Sequence, residues 1–266
     1  KIKGIKVNCK FCGSEKTVKI QITEVKTIKK FYKINIDRFF TSNNFDLYRC
    51  LNCDLRMYHN VIPGDSAFYD YIQNTALYYE EDKNEFEYAI SKIQQINPKT
   101  ILEIGAGGGF FLEKLLDGFD IRASEFSEKS KLILKQKNIS LDEDGLMYDF
   151  ICSFQVFEHV DDLNKILEFC NNKLNSSGYL LISVPNEDSA YNKEIFNWLN
   201  YPPHHTYRFS KQSLYNIAKI INYQVTDYWS EPLRIEHFKT LVRERRNKVI
   251  SGFSFVKKIL SIFDFL

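Results

Sequence analysis

Apolar runs at 100–104, 120–125, 149–154 and 178–184 alternate with stretches at 110–117, 128–137 and 162–173, where apolar residues recur every three or four positions. Short apolar runs bounded by turn residues read as buried strands, and the longer period reads as helices packed on them. Their alternation predicts an α/β fold with a doubly wound, mostly parallel sheet. Asp161 and Asp162 stand where a helix N-cap and a first-turn acid belong, and Ser177-Gly178 where that helix should stop. A helix over 211–221 and a strand over 224–229 are expected to follow. A basic amphipathic tail comes last, with Leu241, Val242, Val249 and Ile250 interleaved among Arg243, Arg245, Arg246 and Lys248.

The first third has a different texture. Thr17 to Ile28 alternates polar positions with Val18, Ile20, Ile22 and Val25, as a half-buried strand does, and Phe45 to Tyr48 is its expected partner. Pro63-Gly64-Asp65-Ser66 marks a turn. Beyond it, 67–79 and 84–96 carry apolar residues at helical spacing. The organisation expected is a module over 1–62, a helical connector over 63–97, a principal domain over 98–231 and the tail over 232–266.

A chain of 266 residues with 44% hydrophobic and 15% aromatic content can bury a sizeable core. No run of eighteen apolar residues exists, and the basic start Lys1-Ile2-Lys3 lacks an apolar signal core, so a cytoplasmic protein without a transmembrane segment is expected. The net charge of +2 divides into +8 over 1–60, −11 over 61–231 and +5 over 232–266. Basic ends of this size are ordinary solvated faces, and few aromatic residues interleave with them, which argues against nucleic acid as partner. The tail is expected to dock on the parent domain or on a second subunit rather than on a membrane surface.

The first strand of the principal domain runs into Ile101-Leu102-Glu103-Ile104-Gly105-Ala106-Gly107-Gly108-Gly109. A nucleotide can lie against a strand-to-helix turn only where no Cβ holds the backbone away, which is what the glycines provide. A dinucleotide fingerprint read from Gly105 and Gly107 needs a small third residue at 110, and Phe110 stands there. That excludes the NAD reading. A second acid, Glu125, follows Gly105 by twenty residues, at the tip of the next strand, where its two oxygens suit a ribose.

Cys9-x-x-Cys12 and Cys50-x-x-Cys53, separated by 37 residues, have the spacing of a four-cysteine zinc site of ribbon or treble-clef type. Four thiolates fill a tetrahedral ion, so the metal is expected to be structural. Cys152 and Cys170 read as small core hydrophobes.

Glu103-x-Gly105-x-Gly107-x-Gly109, with Glu125 downstream, resembles motif I of the class I S-adenosylmethionine-dependent methyltransferases. The resemblance extends from about Arg49 to Tyr228 and implies a Rossmann-like methyltransferase sheet. It implies donor contacts from Glu103, Gly105, Ala106, Gly107, Gly109, Glu125 and Phe126, and from Ser153, Phe154 and Gln155 after the third long strand. Ser153-Phe154-Gln155-Val156-Phe157-Glu158-His159 resembles the segment that in the ubiquinone-biosynthesis and sugar-modifying branch faces the transferred methyl. His159 is the candidate general base and Glu158 its orienting partner. Tyr201-Pro202-Pro203-His204-His205-Thr206-Tyr207-Arg208-Phe209-Ser210 resembles a loop that family members place over the acceptor. It makes His204 and His205 catalytic candidates and Arg208 a candidate anion contact. Tyr78 and Tyr79 are candidate walls of the acceptor pocket.

Two departures from related patterns narrow the chemistry. Relatives that read Glu-x-x-Glu-His bind a divalent metal there, whereas Gln155 replaces the first Glu, which argues against a catalytic metal. No Asn/Asp-Pro-Pro-aromatic run follows the strand, which argues against a planar amino nitrogen as acceptor. The sequence therefore favours methyl transfer to an oxygen of a small, sugar-like or phosphorylated molecule, with a role in surface-glycan biosynthesis. Carbon methylation of a keto-sugar nucleotide, an RNA methyltransferase, and a non-catalytic cofactor-binding scaffold are the alternatives.

Overall fold

A computed structural model describes residues 7–74, 81–116, 118–235 and 237–246. The N-terminal region forms β1 (Thr17–Glu24), a short helix α1 (Val25–Lys29), β2 (Asn44–Cys50) and β3 (Arg56–His59). The alternation expected over 17–28 holds as strand to Glu24 and then turns helical. β2 pairs antiparallel with both β1 and β3, Thr17 lying opposite Cys50 and Arg49 opposite Arg56. The connector supplies α2 (Ser66–Asn74) and α3 (Asn84–Ile96). On α3 the buried residues Phe86, Ala89 and Ile93 form one stripe. Each large side chain there stabilises by about 1.5–3 kcal/mol relative to exposure.

The principal domain runs through β4 (Thr100–Ile104), α4 (Phe110–Glu113), β5 (Asp120–Ser124), α5 (Glu128–Gln136), β6 (Ser140–Leu141), β7 (Tyr148–Phe154), α6 (Leu163–Lys173) and β8 (Leu174–Ser183). The five strands lie in the order β6-β5-β4-β7-β8, all parallel. The expected doubly wound sheet is present. After it come α7 (Ala190–Glu194), β9 (Tyr207–Arg208) and α8 (Lys211–Ile220). Ser210 caps α8 through its hydroxyl, as its position in the sequence suggests.

Three local expectations are corrected. Asp162 alone caps α6, accepting hydrogen bonds from the amides of Asn164 and Lys165. That helix stops at Lys173, and Ser177-Gly178 lies inside β8, because the chain enters the strand directly at Leu174. Residues 224–229 are irregular and do not pair with β8, which leaves that strand half-exposed. Along its open edge runs a cavity of about 630 Å³, walled by Tyr179, Leu181, Tyr223, Val225 and Trp229 among others.

β9 completes the N-terminal sheet. Its order is β1-β2-β3-β9, with Arg56 opposite Arg208 and Met57 opposite Tyr207. The N-terminal region has two cores: Val25, Ile28, Phe39, Phe45, Leu47 and Tyr58 pack with Phe68 and Ile72 of α2, whereas the cysteine end packs on the parallel sheet. Val7, Cys9, Phe11, Cys50, Cys53 and Leu55 belong to the same apolar cluster as Leu102, Ile104, Tyr148, Phe157 and Leu167 of the parallel sheet and its helices. Cys152 and Cys170 are fully buried in apolar surroundings, as expected. Among the described residues no helix is long and apolar enough to cross a membrane. Residues 237–246 of the tail are helical, whereas Val249 and Ile250 lie outside the described residues.

Candidate active site

The turn after β4 needs its glycines. Gly105, Gly107 and Gly109 all have positive φ, at 72°, 53° and 74°. A Cβ on Gly105 would come within 2.5 Å of Val156 Cγ2, and one on Gly109 within 2.8 Å of Leu134 and 2.9 Å of Ile139. The first of these contacts shows that the glycine turn lies directly against the loop that follows β7.

Acidic groups surround the turn. Glu125, at the end of β5, accepts from the backbone N–H of Gly107 at 2.8 Å, and its other oxygen accepts from Phe126 and Ser127 at 2.7 and 2.9 Å. Phe126 is 93% exposed beside it, an apolar ring left in the open at the cradle's rim. Glu103 is buried, and its Oε2 has no protein partner. Burial first, and then the nearby charges of Glu125 and Glu85, push its carboxyl well above the usual range against the pull of Lys83. The cradle thus combines bare backbone, a buried carboxyl and a carboxylate at the tip of the neighbouring strand. Such an arrangement fits a ligand bearing hydroxyls and a positive charge.

The side chains after β7 divide between core and cleft. Ser153 donates to the carbonyl of Ile104 at 3.3 Å, and Phe154 packs against Phe86 and Phe111 in the core. Gln155, in the left-handed region with φ 57°, donates to Glu85 at 3.2 Å and Ser183 at 3.1 Å. Glu85 also accepts from the Ser183 hydroxyl and faces Lys83 at 3.7 Å. Sequence reasoning missed Lys83, Glu85 and Ser183. Glu85 sits in the first turn of α3, where an acid is expected for helix reasons alone, so nothing local marked it.

Glu158 and His159 meet the loop carrying His204 and His205, which arrives from 45 residues downstream. The backbone carbonyl of Glu158 accepts from the amide of Thr206 at 2.8 Å and from its hydroxyl at 3.2 Å. Thr206 reaches Val160 as well, at 2.6 Å, and the phenol of Tyr207 donates to the carbonyl of Asp161 at 2.8 Å. Nδ1 of His159 faces the carbonyl of His204 at 2.7 Å, and Nδ1 of His204 faces the carbonyl of Leu199 at 2.8 Å. A carbonyl only accepts, so both rings carry their proton on Nδ1, which makes Nε2 the basic nitrogen of His159. The ring centroids of the three histidines lie 4.3, 4.6 and 4.8 Å apart.

Burial controls the protonation of this cluster. Desolvation draws His159 down to about 4, against two backbone hydrogen bonds, and it draws His204 and His205 well below the usual histidine range, where their neighbours lower them further. Desolvation pushes Glu158 up to about 8; neither of its oxygens has a hydrogen-bond partner, and Oε1 lies 3.8 Å from Nε2 of His159. Near neutral pH the imidazoles are uncharged and Glu158 is largely protonated.

Tyr78 and Tyr79 lie outside the described residues. Two connector aromatics on α2 meet the histidines: the ring of Tyr69 lies 5.8 Å from that of His159 and its hydroxyl 3.4 Å from the carbonyl of His204, and the ring of Phe68 lies 6.3 Å from that of His204. Arg208 is committed elsewhere. Its guanidinium lies over the rings of Tyr58 and Tyr201, 3.4 Å from Glu187 and 3.2 Å from the carbonyl of Asn200. The large cavity beside β8 touches this region at Lys83, Glu85, Gln155 and Ser183, but neither the glycine turn nor the three histidines line it.

At the other end of the shared core, the four cysteines of the module come together. Sγ of Cys9 lies 3.6 Å from that of Cys53, and Sγ of Cys12 lies 3.6 Å from that of Cys50. A tetrahedral ion with bonds of about 2.3 Å separates its sulfurs by roughly 3.8 Å, so this donor set fits one zinc ion. Amides of Asn52 and Cys53 point at the sulfur of Cys50, at 3.4 and 3.5 Å, as they do where a thiolate needs stabilising.

A family model described as "Methyltransferase domain" matches residues 79–228. The chain is 27% identical over 119 residues to the ubiquinone biosynthesis O-methyltransferase of Glaesserella parasuis serovar 5, an alignment covering 37% of this chain and 50% of that protein. It thus spans about half the length of that relative. The plantazolicin methyltransferase BpumL, solved in complex with SAH, superimposes with a TM-score of 0.45 at 18% identity, over 61% of this chain and 77% of that one. The methyltransferase domain of bacterial CtHen1 gives 0.46 at 19% identity, over 59% and 94%. The chain belongs to the methyltransferase domain family.

Proposed function

We propose that the protein is an S-adenosylmethionine-dependent methyltransferase. It moves the methyl group to an oxygen of a small, sugar-like or phosphorylated acceptor, as surface-glycan biosynthesis requires, with His159 as general base. One observation supports this reading above the others: Val156 ties the glycine turn to the loop that presents Glu158 and His159, so a cradle suited to an adenosyl group opens beside a cluster of imidazoles. The ubiquinone biosynthesis relative is itself oxygen-directed by name.

Bound in the cradle, S-adenosylmethionine supplies a methyl carbon on a sulfonium that leaves readily. The chain's task is then alignment and removal of one proton. The main chain at Gly105, Ala106, Gly107 and Gly109, with Glu103 and Glu125, holds the adenosyl and amino-acid parts. Phe126 covers the open side, and Ser153, Phe154 and Gln155 contribute main chain and shape from below. His159 accepts the acceptor's proton at Nε2, and Glu158, 3.8 Å from that nitrogen, orients the ring. His204 and His205 wall the acceptor's oxygen. The four cysteines hold a structural zinc ion that fixes the module.

Calorimetry with the demethylated donor tests the cradle, and uptake of labelled methyl by candidate sugars tests the rest. We expect the donor product to bind the zinc-loaded protein and His159→Ala to lower turnover at least about 100-fold, the range for a lost general base. Absence of any heat with the donor product would overturn the assignment.

A further inference from the structure

We infer that the cavity along the open edge of β8 is a trough for an uncharged amphiphile, in which a hydroxyl-bearing head is joined to an apolar tail. This names an acceptor class, a sugar-like head on a hydrocarbon body, and rests on the function proposed above only in calling that ligand the acceptor. The space of about 630 Å³ is of the size that encloses a small molecule. Gln155 links it to the catalytic loop, since its side chain lines one end and His159 follows four residues later.

The elements around the cavity make it long and narrow. On α3, Glu85, Tyr88, Lys92 and Ile96 recur at helical spacing and line it as one stripe, which at 1.5 Å per residue runs roughly 16 Å. Polarity changes along that stripe. At its start Glu85 accepts from the Gln155 amide at 3.2 Å and from the Ser183 hydroxyl, beside the carboxyl end of β8, where parallel sheets hold their ligands. One turn on, Tyr88 stacks on Trp229 at 5.1 Å, and beyond lie Leu181, Tyr179 and Ile96. Leu180, Leu181 and Ile182 are left only half-buried, and an apolar tail laid along them would take that surface out of water.

Charge decides against an ionic ligand. Among the described residues each lysine and arginine in the walls is engaged: Lys92 pairs with Asp227, Lys83 with Glu85 at 3.7 Å and Arg234 with Glu231 at 2.8 Å, while Lys211 lies over the rings of Tyr215 and Tyr228. A phosphate would have to displace one of these partners in a space walled largely by rings and aliphatic side chains, at a cost in desolvation. A hydroxyl needs only a carboxylate lone pair of Glu85. The trough therefore favours the sugar-like acceptor over the phosphorylated one and adds an apolar body to it.

The test needs no methyl donor. The zinc-loaded full chain is titrated with alkyl glucosides below their micelle concentrations, with glucose and with octyl phosphate. Of the two tryptophans only Trp229 lines the trough, so Trp198→Phe leaves it as the single indole reporter, and equilibrium dialysis of labelled octyl glucoside with the unsubstituted chain gives the affinity without the reporter. We expect octyl glucoside to shift the Trp229 emission saturably, glucose to leave it unchanged, and octyl phosphate to bind at least about 10-fold more weakly. Each methylene from hexyl to decyl should tighten binding about 3- to 4-fold, the increment for a buried methylene. Ala218→Phe and Leu214→Phe, on the stretch of α8 that lines the trough, should each weaken binding at least about 10-fold by filling it, and a retained cooperative urea transition shows that they are folded. No saturable binding in dialysis, affinity independent of chain length, octyl phosphate bound as tightly, or unchanged affinity in both filled variants would each overturn the inference. Octyl glucoside bound by a protein that gives no heat with the demethylated donor would leave the trough standing and refute the methyltransferase reading, and the converse pair of results would refute the trough alone.

Discussion

Gly105→Ala is the most direct test of the glycine cradle, because the structure supplies both parts of its cost. With φ at 72°, an alanine must sit in the left-handed region, at about 1–2 kcal/mol. Its Cβ would also lie 2.5 Å from Val156 Cγ2, against the 3.5–4.0 Å at which carbon atoms pack, so Val156 must move off its rotamer at about 0.5–1.5 kcal/mol more. Together these give a loss of roughly 1.5–3.5 kcal/mol, read as a shift in the urea midpoint at unchanged m-value. Adding Val156→Ala separates the two terms. The double-mutant cycle should show about 0.5–1.5 kcal/mol of favourable coupling, with the backbone part remaining. Affinity for the demethylated donor should fall in the single variant, since the turn can accommodate the methyl only by shifting. A Gly105→Ala protein within about 0.5 kcal/mol of the parent, binding the donor product equally well, would refute the account of the turn.

Further outcomes follow from the same geometry. Glu125→Ala removes the acceptor of three backbone N–H groups and the proposed ribose contact, and calorimetry should show the donor product bound 10- to 100-fold more weakly, each charged hydrogen bond being worth about 1.5–3 kcal/mol. For Glu103 the folded-state pKa is raised, mainly by burial. Its contribution to stability is therefore complete in acid, below the unfolded-state value, and declines as pH rises through and beyond the ordinary carboxylate range. Glu103→Gln should flatten that decline, making the donor-free protein more stable at pH 8 in urea titrations while weakening donor binding; a steeper decline would contradict the assignment. A strong chelator should release one zinc ion per chain from the cysteines and lower donor-product affinity as well, because Cys9, Cys50 and Cys53 lie in one apolar core with Leu102 and Ile104 of the parallel sheet. Release without effect on donor binding would show the two halves to be independent.

How far the sequence foretold this structure depends on the range of the interactions involved. The run from Glu103 to Gly109 was legible because its constraint is local: an apolar strand, then backbone angles that glycine adopts most readily. The parallel sheet was legible from alternation for the same reason. The pairing of His159 with His204 was foreseeable only through family resemblance, since no periodicity links positions 45 residues apart. Tyr69 and Glu85 escaped notice because each also satisfies an ordinary helix pattern, and only tertiary packing turns them toward the site. Ser177-Gly178 misled for the converse reason, as breaker residues inside a strand whose start at Leu174 directly follows α6. At 224–229 an alternating pattern was present, yet a cavity separates this segment from the open edge of β8, so no ladder forms between them.

The antiparallel sheet that begins at Thr17 ends with two residues from beyond position 200, immediately after the paired histidines. Truncation at the apparent boundary near residue 62 would strip those histidines of their lateral support, even though no atom of the deleted piece need touch a substrate. Anyone transplanting this chemistry to another scaffold would have to carry both segments together, and a shorter homologue that lacks the cysteine module must brace its own loop by other means.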